Sequence, residues 1–107
     1  MKFLLLINID PAIDPSTVES GGIEPWIELT KNTRLDGNQL RGPSTAKTVR
    51  VRGGKPFVTD GPFAETKEFV GGFDIIECSG LDEAIEIAAA HPVAQFGSVE
   101  VREFHLD

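Results

Sequence analysis

The chain has a single cysteine, no tyrosine, one tryptophan and two histidines in 107 residues. A lone Cys78 excludes an internal disulfide framework and any zinc cage built from thiolates. The two histidines, His91 and His105, stand far apart in sequence without clustered carboxylates, which leaves no recognisable metal-ligand set. Gly21-Gly22, Gly53-Gly54 and Gly71-Gly72 lack the spaced glycines, lysine and strand-loop-helix context of a phosphate cradle, so no cofactor is called for. No apolar run approaches the roughly 20 residues that a membrane span needs. The stretch Phe3 to Ile7 also lacks the charged start, long apolar region and cleavage site of an export signal. A cytoplasmic location without a membrane partner follows by elimination. Basic residues are scarce, 10 Lys and Arg against 17 Asp and Glu, for a net charge of −7. A field of that sign repels phosphate backbones, so no direct nucleic-acid partner is expected.

What is present is an ordinary globular mixture, 40% hydrophobic and 25% charged, sized for one domain over residues 1–107. Met1 to Asp10 reads as a buried strand, and residues 11–23, rich in Pro, Ser and Gly, as a loop or a short helical turn. From Glu24 to about Arg34 a helix is expected, with Pro25 in its first turn and Trp26, Leu29, Thr30 and Thr33 on one face. Asp36-Gly37-Asn38 stops it, and a strand at Gln39 to Arg41 follows. Thr48 to Arg52, Gly53-Gly54-Lys55 and Pro56 to Thr59 form a β-hairpin, whose second arm is short or at an edge because Pro56 has no N–H to give. The basic residues Lys47, Arg50, Arg52 and Lys55 alternate with Val49 and Val51 as the outer face of a strand would.

Phe69 to Glu77 is another buried strand, with Gly71-Gly72 permitting a bulge. Ser79 and Asp82 make a capping pattern for a helix from Leu81 to about Ala90, ended by Pro92. Ser98 to Phe104 closes the chain as a strand. This order is that of a split β-α-β arrangement, an α+β ferredoxin-like antiparallel sheet with helices on one face and an inserted β-hairpin. One layer of helices covers one sheet face, so the apolar second face calls for a homodimer closed sheet to sheet.

The segment Asp60-Gly-Pro-Phe-Ala-Glu-Thr-Lys-Glu68, followed by Gly71-Gly72-Phe73, resembles the signature of the DGPF branch of the YCII-related family. The resemblance runs through Met1 to Ile7, Ala46 to Arg52, Leu81 to Pro92 and Gly97 to Arg102. It implies a ferredoxin-like domain paired into a dimeric α+β barrel, a scaffold shared by small isomerases, dehalogenating enzymes and monooxygenases. It implies no fixed reaction. Some members of the branch are encoded beside or fused to sigma factors. Others in the wider family carry a His on the first helix with a nearby Asp, whereas residues 11–45 here contain no His.

Candidate catalytic residues are Asp60, at a strand end beside a turn, and His91, because histidine alone titrates near neutral pH without perturbation. Each has a structural alternative: a turn-forming aspartate, and a side chain that satisfies free carbonyls at a helix end. Phe63, Glu65 and Lys67, in the stretch shared with the family, are candidate ligand contacts. Two functions remain open: a small-molecule enzyme using carboxylate and histidine acid–base chemistry in a dimer cleft, or a non-catalytic ligand-binding or regulatory module linked to sigma-factor-dependent transcription.

Overall fold

The apolar run near the start of the chain becomes an interior strand of the sheet. In the computed structural model, which describes residues 1–61 and 68–105, β1 (Lys2–Ile9) is flanked on both sides. Its antiparallel neighbours are β5 (Phe69–Glu77) and β6 (Gly97–Glu103), and β2 (Arg34–Gln39) adds to the far edge of β5. Between β2 and β5 the chain makes a separate antiparallel hairpin, β3 (Lys47–Arg52) and β4 (Lys55–Asp60). Two helices, α1 (Glu24–Leu29) and α2 (Leu81–Ala89), complete an α+β fold.

Alternation along β1 divides its residues between the two faces. Phe3, Leu5 and Ile7 are buried together with Ile76 and Cys78 of the neighbouring strand segment, Trp26 of α1, and Ala84, Ile87 and Ala88 of α2. Val99 and Val101 flank this core from β6. Leu4 and Leu6 point the other way and pair in register with Ile75 and Phe73, all four only half-buried. Both helices therefore contribute to the core on one face of the sheet, and a strip of apolar residues marks the other.

The register shifts between Ile7 and Asn8, where Gly72 and then Val70 are the successive partners on β5, so Gly71 is the extra residue of a bulge. A Cβ at Gly71 would meet the Ile9 side chain at 2.7 Å, which is why this bulge takes glycine. Cys78 is buried as a small hydrophobe, and a short 3-10 turn at Pro15–Thr17 is the helical content of the first loop.

Three expectations need correction. The first helix ends at Leu29, well before Arg34, because the Thr30 hydroxyl donates to the Trp26 carbonyl at 2.8 Å and the amides of Thr33 and Arg34 turn back to the Thr30 carbonyl. The following strand starts at Arg34 and runs through Asp36-Gly37-Asn38, which the turn-forming composition had marked as a stop. Pairing with β5 outweighs local propensity there. At α2 the cap position is Gly80, and Ser79 instead donates its backbone N–H to Glu83 Oε1 at 3.1 Å.

The indole of Trp26 joins the helices: its Nε1 donates to the Ile87 carbonyl at 2.9 Å in a buried setting. Trp26→Phe would keep an aromatic ring but remove the indole donor, leaving the Ile87 carbonyl with the Ala90 amide, and should lower unfolding free energy by about 0.5–1.5 kcal/mol, measured by urea denaturation followed by circular dichroism.

Candidate functional site

Because α1 has only six residues, it does not cover the whole helix-side surface of the sheet. The remaining space is a cavity of about 510 Å³ bounded by α1, β2, the ends of β1 and β5, and the segment after α2. Ile7, Ile9, Ile23, Ile27, Leu40, Phe69 and Val93 give it an apolar wall. Its polar side chains are Arg34, Asn38, Gln39, Asp74 and His91, with Trp26 beside the last. This is the ordinary constitution of a small-ligand site, an apolar pocket with a small number of convergent polar groups.

Asp74 lies on β5 in phase with the core residues Ile76 and Cys78, and its side chain is only 9% exposed. Arg34 reaches it from β2, its Nε donating to Asp74 Oδ1 at 2.7 Å. Gly37, opposite Asp74 in the β2–β5 register, makes room for the pair; a Cβ there would meet Asp74 Oδ1 at 2.1 Å and the Arg34 guanidinium at 2.6 Å. Oδ2 of Asp74 has no hydrogen-bond partner among the described residues, yet no side-chain oxygen there is both sealed from solvent and unpartnered. It therefore opens to the cavity that Asp74 lines.

His91 is buried at the end of α2, its ring edge-on to Trp26 at 4.7 Å between centroids. Its Nδ1 accepts the backbone N–H of Val93 at 3.0 Å and so caps the short 3-10 turn Pro92–Gln95. The helix-end role read from sequence was donation to free carbonyls; the observed role is acceptance from the next turn. That bond fixes the tautomer, since a nitrogen that accepts cannot carry the proton of a neutral ring. The proton sits on Nε2, which has no partner in the described residues and is open to the cavity by the same reasoning as Asp74 Oδ2.

Burial holds His91 below the ordinary histidine value of 6.5, and the Asp74 carboxylate opposes that shift more weakly. The Asp74 carboxylate is itself paired with the Arg34 guanidinium at 2.7 Å.

Of the residues singled out from sequence, His91 lines the cavity and Asp60 does not. Asp60 ends β4 as an exposed side chain paired with Lys47 across the hairpin. The structure thus does not bring Asp60 and His91 together. Phe63, Glu65 and Lys67 lie outside the described residues. Sequence reasoning missed Asp74 and Arg34. A signal for Asp74 existed, a carboxylate at a core-facing position within Phe73-Asp74-Ile75-Ile76. Arg34 carried none, since it was read as the end of a helix. Among the described residues no three His, Cys, Asp or Glu side chains gather as a metal site, and no helix is long and apolar enough to cross a membrane.

The lowered His91 value makes stability pH-dependent with a definite sign. The unfolded chain takes up this proton near 6.5, the folded chain only at lower pH, so the contribution is complete above 6.5 and is lost as pH falls through the folded value. Urea midpoints should drop on acidification below 6.5 in the wild type, and His91→Asn, which keeps a capping acceptor for Val93, should flatten that drop. Removing the opposing charge with Asp74→Asn should lower the His91 titration midpoint further, as read by NMR.

A YCII-related domain matches residues 1–105 of the chain. An uncharacterised protein of Rhizobium meliloti strain 1021 is 38% identical over 99 residues, spanning 89% of this chain and 69% of its own length. Among solved structures, 5-chloro-2-hydroxyhydroquinone dehydrochlorinase from Burkholderia phenoliruptrix AC1100, in complex with 2,5-dihydroxybenzoquinone, superposes with a TM-score of 0.53 at 17% identity. That likeness covers 98% of this chain and 94% of the other, and is one of fold. With the family matched over nearly every residue and a relative of this identity beside it, the chain belongs to the YCII-related domain family.

Proposed function

We propose that the protein is a small-molecule enzyme that moves a proton within the Trp26–His91 cavity. The observation that carries this reading is the pairing of two unlike groups open to one apolar space, the Asp74 carboxylate and the neutral Nε2–H of His91. The tautomer assigns the roles. A neutral imidazole with its proton on Nε2 is a poor base at that nitrogen but a good donor to developing negative charge. Asp74 Oδ2 is the base, removing a proton from a carbon or hydroxyl adjacent to a carbonyl. His91 Nε2–H receives the oxyanion so formed, and the Arg34 guanidinium holds the Asp74 carboxylate in place. Returning the proton to a different atom gives isomerisation; loss of a leaving group instead gives elimination.

The apolar wall suits a small, flat substrate with one or two oxygen functions. The structural neighbour's complex with a dihydroxybenzoquinone supports a ligand of that kind. The Asp60–Glu68 stretch supports placement in the DGPF branch. The role expected of Asp60 falls to Asp74, and His91 replaces the first-helix histidine of other family members.

Asp74→Asn should reduce turnover by about 10²–10⁴-fold, and His91→Asn by about 10²–10³-fold. The measurement is conversion of enolisable hydroxyketones and dihydroxyquinones that first raise the melting temperature in a thermal-shift panel. A compound that stabilises the wild type but is returned unchanged marks the alternative, a ligand-binding or regulatory module.

The same reading includes a homodimer with the form of a dimeric α+β barrel on a ferredoxin-like protomer. Leu4, Leu6, Phe73 and Ile75 form an apolar strip on the helix-free face, and sheet-to-sheet association would bury about 800 Å² per subunit. Light scattering at low micromolar concentration should give twice the 11.6 kDa chain mass; a monomer there rules the dimer out.

A further inference from the structure

We infer that the cavity takes a small carboxylic acid, held by its carboxylate on the Nη edge of Arg34. The inference rests on the proposed proton transfer in this cavity and names the class of substrate that undergoes it. A bulge in β2 makes the subsite. Arg34 pairs in register with Ile76 and Asp36 with Ile75, so Leu35 is the extra residue, and Arg34 and Gly37, three apart, share the helix-side face. The side chain of Arg34 runs along its own strand to Gly37, where a Cβ would meet Nη2 at 2.6 Å. Gln39, opposite Gly72, is the next residue of β2 on that face, and it lines the cavity with Arg34.

A guanidinium carries five N–H donors, and the bond from Nε to Asp74 Oδ1 occupies one of them. No hydrogen bond among the described residues uses Nη1, Nη2 or the carboxamide of Gln39. The Arg34 side chain is 34% exposed, so these donors are accessible to a ligand. A planar carboxylate meets the paired Nη donors two to two, which a lone carbonyl or hydroxyl does not. Asp74 does not cancel the attraction. A guanidinium between two anions draws the outer one more strongly than the inner one repels it, because Coulomb energy falls with distance.

Arg34 is the only Lys or Arg among the described residues that line the cavity, one charge for one monoanion, and Ile23, Ile27 and Leu40 are left for the rest of the molecule. The polar groups thus divide their tasks. Arg34 takes the carboxylate, His91 Nε2–H takes the carbonyl oxygen, and Asp74 Oδ2 takes a proton from a carbon near both. The substrate is therefore an enolisable oxo acid. Its C–H bonding pair becomes the enolate as Asp74 takes the proton, and return of that proton to a different atom completes the isomerisation.

The test is isothermal titration calorimetry at neutral pH with 3-hydroxybenzoate and 3-hydroxybenzamide, flat probes of one shape that differ in charge. The wild type should bind the acid about 10- to 100-fold more tightly, the range of hydrogen bonds to a charged group. Asp74→Asn removes the opposing carboxylate and should widen that preference about threefold. Arg34→Gln combined with Asp74→Asn removes the ion pair as a unit and should abolish it. Gln39→Leu, at an exposed position, should narrow it about threefold with the urea midpoint unchanged. Where the double variant fails to fold, the wild-type and Gln39→Leu titrations decide the question alone. Equal affinity for the two probes, or none for either, overturns the carboxylate subsite while proton transfer stands. A preference that survives in the double variant also overturns it, since the charge is then read elsewhere. Inorganic phosphate that displaces 3-hydroxybenzoate at lower concentration overturns it in favour of a phosphate ester. Because the probes are read by binding, a protein that prefers the acid but converts no oxo acid keeps the subsite and loses the enzyme.

Discussion

The bond from the Trp26 indole to the Ile87 carbonyl, with His91 against the same ring, is the constraint from which the site follows. α1 is too short to be stable by its own hydrogen bonds. It is held because its tryptophan is fully engaged: the apolar body enters the core and the single donor meets a carbonyl near the C-terminal end of α2. This contact sets the distance between the helices and leaves the rest of the sheet end uncovered. The cavity is therefore a consequence of a short helix anchored at one residue.

Within that cavity the cost of burying charge is controlled by geometry. A carboxylate on a core-facing position is costly unless paired, and Arg34 supplies the pair from the edge strand. The arrangement exists only because position 37 lacks a side chain: the space a Cβ would take is filled by the Asp74 oxygen and the guanidinium. His91 is handled differently. It is buried without a counter-ion in direct contact, and its Nδ1 is committed to a backbone amide, so the neutral ring is favoured. A carboxylate paired with a guanidinium and an imidazole capped by a backbone amide thus line a single space.

The two sheets express opposite solutions to exposed strands. The four-stranded sheet buries one face beneath helices and keeps apolar residues half-buried on the other. The hairpin has no layer of its own and relies on basic side chains and Pro56 to protect its edges. Most of the acidic charge lies outside the hairpin, so the chain is electrostatically divided as well as structurally divided.

Short-range patterns in the sequence determined β1, β5, β6, the hairpin and α2. Phe3 to Ile7 is too apolar for a surface, Thr48 to Thr59 alternates around a Gly-Gly turn, and Leu81 to Ala89 repeats at helical spacing. Gly71-Gly72 marked the bulge because close backbone approach leaves no room for a Cβ. His91 was legible as a candidate by its chemistry alone. Tertiary structure alone decided where α1 stops and β2 begins, because the ladder with β5 overrides the turn-forming residues of Asp36-Gly37-Asn38. It also decided which carboxylate shares a cavity with His91. Asp60 and Asp74 are both aspartates on strands, but one strand projects as an arm while the other lies in the central sheet, and no local pattern records that difference. The partner of Asp74 stands 40 residues away in sequence, so their union depends on strand order, a long-range property set by how the whole chain buries its apolar faces.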